Sequence, residues 1–203
     1  MPDMPLASDS TSHAMTAVEL DDQHDPRQLR NALGRFPTGV TVITTRTPEG
    51  KAEGLTANSF SALSLDPPLV LWSINRKSLS LPGFLTAGCF AINVLRADQS
   101  ELSHRFATAR ENKFEDVVCT NGWGGCPVLD GVLATFECQT ERSIEGGDHL
   151  LFVGRVKRIT YGEGEPLIFS AGRYATVVTV VNVGTLSSGT AESDLNGIWA
   201  GLG

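Results

Sequence analysis

The chain has 203 residues, 41% hydrophobic and 19% charged, a balance that favours one globular domain over two or over a disordered chain. No apolar run reaches the ~20 residues needed to span a bilayer, and no basic stretch leads into an apolar core at the N-terminus, so neither a membrane span nor a signal peptide is expected and the expected location is cytoplasmic. The formal charge of −7 belongs to the ends: residues 1–25 hold six acids and no Lys or Arg, residues 184–203 hold Glu192 and Asp194 and no base, and residues 26–183 set 15 acids against 16 bases, a nearly neutral body without the basic stripe a nucleic-acid partner requires.

Residues 1–25, rich in Asp, Ser, Thr and Pro, read as a flexible leader. A helix is predicted from Pro26, with Asp25 as N-cap, Leu29 and Leu33 on one face and Gly34 as the stop. Val40, Val42 and Ile43 among threonines predict a strand, and Thr47-Pro48-Glu49-Gly50 a turn. Residues 53–63 read as one extended stretch that ends before Asp66-Pro67-Pro68, because proline cannot donate to a ladder. Leu69 to Ile74 is predicted as a buried strand, residues 80–87 as a short helix closed by Gly88, Cys89 to Leu95 as a strand, and residues 98–108 as a helix with Leu102 and Phe106 on one side.

Residues 112–130 read as loop. Two long strands follow, 131–144 and 149–161, joined by Glu145-Gly146-Gly147-Asp148, whose glycines tolerate positive φ. Leu167 to Ser170 and Tyr174 to Val183 complete the β content, and the 184–203 tail is small and polar apart from Ile198 and Trp199. Many strands, few short helices and no βαβ alternation predict a mainly β, antiparallel barrel with helical additions, spanning residues 26–183 as one domain.

The absences narrow the chemistry. The sequence has no G-x-G-x-x-G, no phosphate-binding G-x-x-x-x-G-K-[ST] and no G-x-S-x-G elbow. Cys89, Cys119, Cys126 and Cys138 form no C-x-x-C pair, and two of the four histidines, His13 and His24, lie in the leader. No metal site is expected, and the cysteines read as buried free thiols.

Six segments in order carry a resemblance: Phe36-Pro37-Thr38-Gly39-Val40, Gly54-Leu55-Thr56-Ala57-Asn58-Ser59-Phe60, Ser64-Leu65-Asp66-Pro67-Pro68-Leu69, Phe90-Ala91-Ile92-Asn93-Val94-Leu95, Gly147-Asp148-His149, and Pro166-Leu167-Ile168-Phe169 leading to Tyr174. From residue 27 to about 178 the chain resembles the short-chain flavin reductases, the reductase components of two-component flavin-dependent monooxygenases. The resemblance implies a split β-barrel of Greek-key type with a few short helices. It implies FMN or FAD as the flavin and NADH or NADPH as the hydride donor. It also implies a homodimer and a flavin-dependent monooxygenase that receives the reduced flavin.

The site residues follow from the same resemblance. Thr56, Ala57, Asn58, Ser59, Phe60, Ser61, Ala62 and Leu63 are expected along the flavin, where short polar side chains let a ring approach the backbone. Lys77 and Ser78, then Arg76, are expected at its phosphate. Arg105 and Phe106 are expected over the flavin tail or at the surface, and Asn93 at the ring or ribityl chain or in packing. His149 is the expected catalytic-pocket residue, lining the nicotinamide site, with a half-buried strand histidine as the alternative. Phe169, Ser170, Ala171, Gly172 and Tyr174 border the same pocket or belong to the barrel core. Trp72 reads as core, Trp123 as shielding a pocket or a subunit contact, and the β-branched run 177–183 as packing across a dimer or capping the nicotinamide site. The competing readings are a non-catalytic flavin- or haem-binding split barrel and a pyridoxamine-phosphate-oxidase-like enzyme; the latter lacks a second basic cluster.

Overall fold

The computed structural model describes residue 15 and residues 17–177. Residues 1–14 and 16 of the leader, residues 178–183 of the β-branched run and the 184–203 tail lie outside the described residues.

The elements run α1 (Pro26–Leu33), β1 (Thr38–Gly39), β2 (Thr41–Arg46), β3 (Ala52–Ala57), β4 (Ser61–Ser64), β5 (Leu69–Asn75), α2 (Leu81–Ala87), β6 (Cys89–Val94) and α3 (Ser100–Ala107). They continue as β7 (Cys119–Asn121), a 3-10 turn (Trp123–Gly125), β8 (Pro127–Leu129), β9 (Ala134–Gly146), β10 (His149–Tyr161), β11 (Ile168–Ser170) and β12 (Arg173–Ala175). The Asp25 carboxylate accepts from Arg27 N at 2.9 Å and Pro26 occupies the first turn, the start signal the sequence carries. Leu29 and Leu33 on the apolar face of α1, and Phe36 just after the helix, are 39%, 65% and 75% exposed among the described residues.

Seven strands form one antiparallel sheet in the order β3-β2-β6-β9-β10-β5-β4. Two expectations change here. The stretch 53–63 is two strands, β3 and β4, at opposite edges of this sheet, because residues 58–60 carry the chain across the opening between them. The loop-rich 112–130 segment contains the β7–β8 hairpin and the 3-10 turn, too short and glycine-rich to show a strand period. Among the described residues, no ladder joins the two edges. Ser59 spans the gap, its Oγ accepting from Ser73 N at 3.0 Å and donating to Ser73 O at 3.1 Å. The sheet is thus a barrel with a split seam.

Strand β5 alternates, with Val70, Trp72 and Ile74 buried and their neighbours half-exposed. This is the period-2 pattern of a strand with one covered face. Trp72 is the centre of the core: it stacks on Phe152 at 5.0 Å and meets Phe84 and Phe90 edge-on at 4.9 and 5.6 Å. Burial of each such side chain stabilises the fold by about 2–3 kcal/mol. Gly154 makes this packing possible, since a Cβ there would stand 2.3 Å from Phe90 Cζ. A second cluster (Val40, Val42, Leu95, Phe106, Leu129 and Leu167) lies under α3 and the small β1-β11-β12 sheet.

Candidate active site

A cleft of ≈ 610 Å³ opens along the seam, within the size range of small-molecule sites. Its long wall is β3. All six residues from Ala52 to Ala57 line it, and β3 is the outermost strand, so its outer edge has no strand partner among the described residues. Backbone N–H and C=O groups on a free edge keep their hydrogen-bonding capacity. Asn58 and Ser59 continue the wall past the strand end. At the floor, Gly54 lets β3 lie on α3: a Cβ there would come 2.8 Å from Phe106 Cε1 and 3.2 Å from Phe114 Cζ.

The opposite wall is the end of β5 and its following loop, built on Asn75. Its Oδ1 accepts from Lys77 N at 2.9 Å, its carbonyl accepts from Ser78 N at 2.9 Å, and its Nδ2 donates to Asp148 Oδ2 at 3.3 Å. Arg76 N donates to Asp148 O at 2.9 Å. These contacts pin the loop to the β9–β10 hairpin and leave Lys77 and Ser78 on the cleft, Lys77 without an ion-pair partner among the described residues. The hairpin supplies His149, which sits opposite Asn75 in the ladder. Asp148 Oδ1 lies 2.7 Å from His149 Nδ1, which fixes the ring and leaves Nε2 free for a ligand. The ring's hydrogen bond holds the Asp148 carboxyl below the usual carboxylate range. His149 and Asn58, 91 positions apart in the chain, line one cleft.

At the far end stand charged groups that carry no sequence signal. Lys113 Nζ donates to Gly54 O at 3.1 Å and to Phe106 O at 2.9 Å, and burial pushes its pKa down. Lys51 and Glu53 pair at 2.6 Å. Gly54, which Lys113 reaches, lies 59 positions away in the chain, so only the fold reveals that contact.

Of the residues singled out in the sequence, Thr56, Ala57, Asn58, Ser59, Lys77, Ser78, Phe106 and His149 line the cleft. The others lie elsewhere. Phe60 packs on Phe136 at 5.3 Å, against the core. Ser61, Ala62 and Leu63 lie on the exposed edge strand β4, beyond the corner. Arg76 spends its guanidinium on Glu145 at 2.9 Å and on Gly147 O at 3.2 Å. Arg105 turns away to donate to Glu115 O. Asn93 is fully buried: Nδ2 donates to Val42 O at 2.9 Å and Thr44 Oγ1 at 3.1 Å, and Oδ1 accepts from Leu129 N at 2.9 Å. Of its two readings, the geometry matches packing. Phe169, Ser170, Ala171, Gly172 and Tyr174 form β11, its turn and β12, on the side of the second core cluster; Tyr174 donates to Ser103 Oγ at 2.8 Å. Phe169 and Tyr174, half-buried against that cluster, match the barrel-core alternative, whereas Ala171 and Gly172 are exposed at the turn.

Comparison with known proteins agrees with this architecture. The family described as "Flavin reductase like domain" matches residues 33–178. The FMN reductase (NADH) SmoA of Agrobacterium fabrum is 46% identical over 165 residues, covering 78% of this chain and 94% of its own. The flavin-dependent monooxygenase reductase subunit HsaB of Rhodococcus jostii is 40% identical over 154 residues, covering 75% and 78%. Two further relatives, from Rhizobium meliloti and Acinetobacter baylyi, are longer, and the match covers 49% and 51% of them. Among solved structures, the Streptomyces globisporus NADH:FAD oxidoreductase SgcE6, in complex with NAD and FAD fragments, superposes with a TM-score of 0.73 at 36% identity, over 83% of this chain and 100% of that one. A mainly β split barrel with a cleft at its seam, matched by a family profile across most of its described length, places this chain in the flavin reductase family.

Proposed function

We propose that this chain is an NAD(P)H:flavin oxidoreductase of the EC 1.5.1 type that supplies reduced FMN or FAD to a flavin-dependent monooxygenase. The observation that carries the reading is the convergence of an unpaired strand edge, a basic-and-hydroxyl loop and an oriented histidine on one cleft. The flavin, when bound, supplies the hydride-accepting N5, and the nicotinamide supplies the hydride at C4. The chain's residues bind and orient. The free edge of β3, with Asn58 and Ser59, offers main-chain donors and acceptors to the polar rim of the isoalloxazine. Lys77 and Ser78 hold the flavin phosphate with a charge-assisted contact. His149, steadied by Asp148, offers Nε2 to the carboxamide or a phosphate of the nicotinamide cofactor. A flavin and a nicotinamide held this way would be placed for direct hydride transfer, which requires reacting atoms about 3–3.5 Å apart, and main-chain donors of the β3 edge would favour the charge that the reduced ring carries.

The relatives named for NADH favour NADH over NADPH. We place the enzyme in the cytoplasm as a homodimer. The exposed apolar groups Leu33, Phe36, Leu63 and Leu65 offer material for the subunit contact. The deciding experiment mixes the purified protein anaerobically with FMN or FAD and NADH or NADPH in a stopped-flow instrument. Flavin bleaching well above the uncatalysed rate is expected. Bleaching at the uncatalysed rate with both donors leaves only a flavin binder and refutes the proposal. The His149→Ala variant is expected to raise the KM for the nicotinamide cofactor about tenfold while flavin affinity stays; lost flavin binding instead means that His149 belongs to the flavin site.

A further inference from the structure

Two of the four cysteines meet, though they lie 37 positions apart. Cys89 Sγ and Cys126 Sγ stand 2.9 Å from each other, about 0.9 Å more than the ~2.04 Å of a disulfide bond. Cys89 opens β6 directly after Gly88, and Cys126 follows the 3-10 turn that leads into β8. Both residues are held in place by other contacts. Thr45 Oγ1 donates to Cys89 O at 2.6 Å, and Gly122 N donates to Cys126 O at 2.7 Å. Gly124, with φ +65°, passes close over Cys89, where a Cβ would stand 2.7 Å from its sulfur. Cys89 is 6% and Cys126 0% exposed. Cys119 is half-buried, and Cys138 is fully buried among apolar groups that push its thiol up to about 12. Neither Cys89 nor Cys126 lines the cleft.

We propose that Cys89 and Cys126 form a peroxide-responsive dithiol that closes to a disulfide and fastens the 3-10 turn to β6. The inference rests on the flavin reductase reading for its oxidant. Reduced flavin released into air and not taken up by an oxygenase reacts with O2 to give hydrogen peroxide. The Cys89 sulfur attacks one peroxide oxygen, the O–O bond breaks, and Cys89 becomes a sulfenic acid as water leaves. The Cys126 sulfur then attacks the Cys89 sulfur, the S–O bond breaks and a second water leaves. Two thiols and one peroxide become one disulfide and two waters. Cys89 is the more exposed of the two, and the hydrogen bond between the sulfurs draws its thiol down while Cys126 moves up, so Cys89 is the attacking sulfur and Cys126 the resolving partner.

The test uses the full chain, reduced and then titrated with hydrogen peroxide under native conditions. Free thiols are blocked by alkylation, and the peptides are mapped by mass spectrometry. A linked Cys89–Cys126 peptide is expected as the first product, reversed by dithiothreitol. It is expected to come with a rise in Tm of roughly 5–15 °C, since the cross-link closes a loop of intermediate length. Turnover with reagent flavin is expected to stay within about twofold. In Cys126→Ser, Cys89 is expected to stop at a dimedone-reactive sulfenic acid. Oxidation of Cys119 or Cys138 before the pair, or over-oxidation of Cys89 without a linked peptide, overturns the proposal. Because the wild-type map alone decides, a variant that fails to fold does not blunt the test. A linked peptide in a chain that shows no flavin turnover would keep the dithiol and remove only the source of its oxidant.

Discussion

Asn93 distinguishes a cofactor ligand from a structural amide. In the structure it has no exposed surface and makes three hydrogen bonds that tie β6 to β2 and to β8. In Asn93→Ala, Val42 O and Leu129 N each lose a buried partner at about 1–2 kcal/mol apiece, and the empty volume adds to this. Thr44 Oγ1 loses less, because it still reaches Pro127 O at 2.5 Å. The sum is about 3 kcal/mol. For a domain of this size it lowers Tm by roughly 6–12 °C. The assay is thermal unfolding of flavin-free protein, so that ligand linkage does not enter, followed by flavin titration by fluorescence at a temperature where the variant is fully folded. The Kd is expected to stay within about twofold. A Tm within about 2 °C of wild type together with a tenfold weaker Kd would refute the packing assignment and return Asn93 to the flavin.

Lys77→Ala is expected to weaken FMN binding about tenfold, or 1.4 kcal/mol, and to leave riboflavin binding and Tm unchanged, because the ammonium has no ion partner among the described residues; equal losses for FMN and riboflavin in equilibrium titrations would move the phosphate elsewhere. Glu137 gives a pH test. Burial raises its pKa, but the bidentate pair with Arg158 at 2.6 Å and the Trp123 N–H outweigh burial and hold it below the ordinary glutamate range. A lowered folded-state pKa means that the unfolded chain takes the proton first as pH falls. The stability it contributes is therefore complete above about pH 4.3 and is lost as pH drops through the folded-state value. Glu137→Gln is expected to lower Tm at pH 7 and to flatten the fall in Tm between pH 5 and pH 3; an unchanged slope refutes the assignment.

How much of this was legible in one dimension depends on where each residue's partners lie. The alternation of Val70, Trp72 and Ile74 and the capping of α1 by Asp25 involve neighbours in sequence, and each appears in the structure where the pattern puts it; the turn expected at 145–148 is tighter, only Gly147-Asp148, because Glu145 and Gly146 pair with Leu150 and His149 in the ladder. The wall residues Thr56 to Ser59 were reached through the family resemblance, and so was His149; nothing local says that β3 is an edge strand or that Asn75 faces His149. Asn93 stands in an apolar strand, where a polar group reads the same whether it meets a cofactor or a buried carbonyl. Lys113 shows the converse. It sits in an unremarked run after α3, and its partner, Gly54 O, is 59 positions away.

Those charged groups also follow from the physics of the split. A sheet that opens at a seam leaves β3 with a free edge, and a free edge pairs with other chains unless it is protected. Lys51 and Glu53 place charge along β3, and Lys113 caps one of its carbonyls. The stretch beyond them, from Thr56 to Ser59, carries no charged side chain and is the part left open to a planar ligand. On the proposed function, edge protection and binding thus divide a single strand between them. Guarding the remainder with a charge at its exposed position just past β3, as in Asn58→Lys, is therefore expected to abolish flavin binding in a chain that stays monodisperse by light scattering. Binding that survives this change would mean that the β3 edge is not the ring's partner.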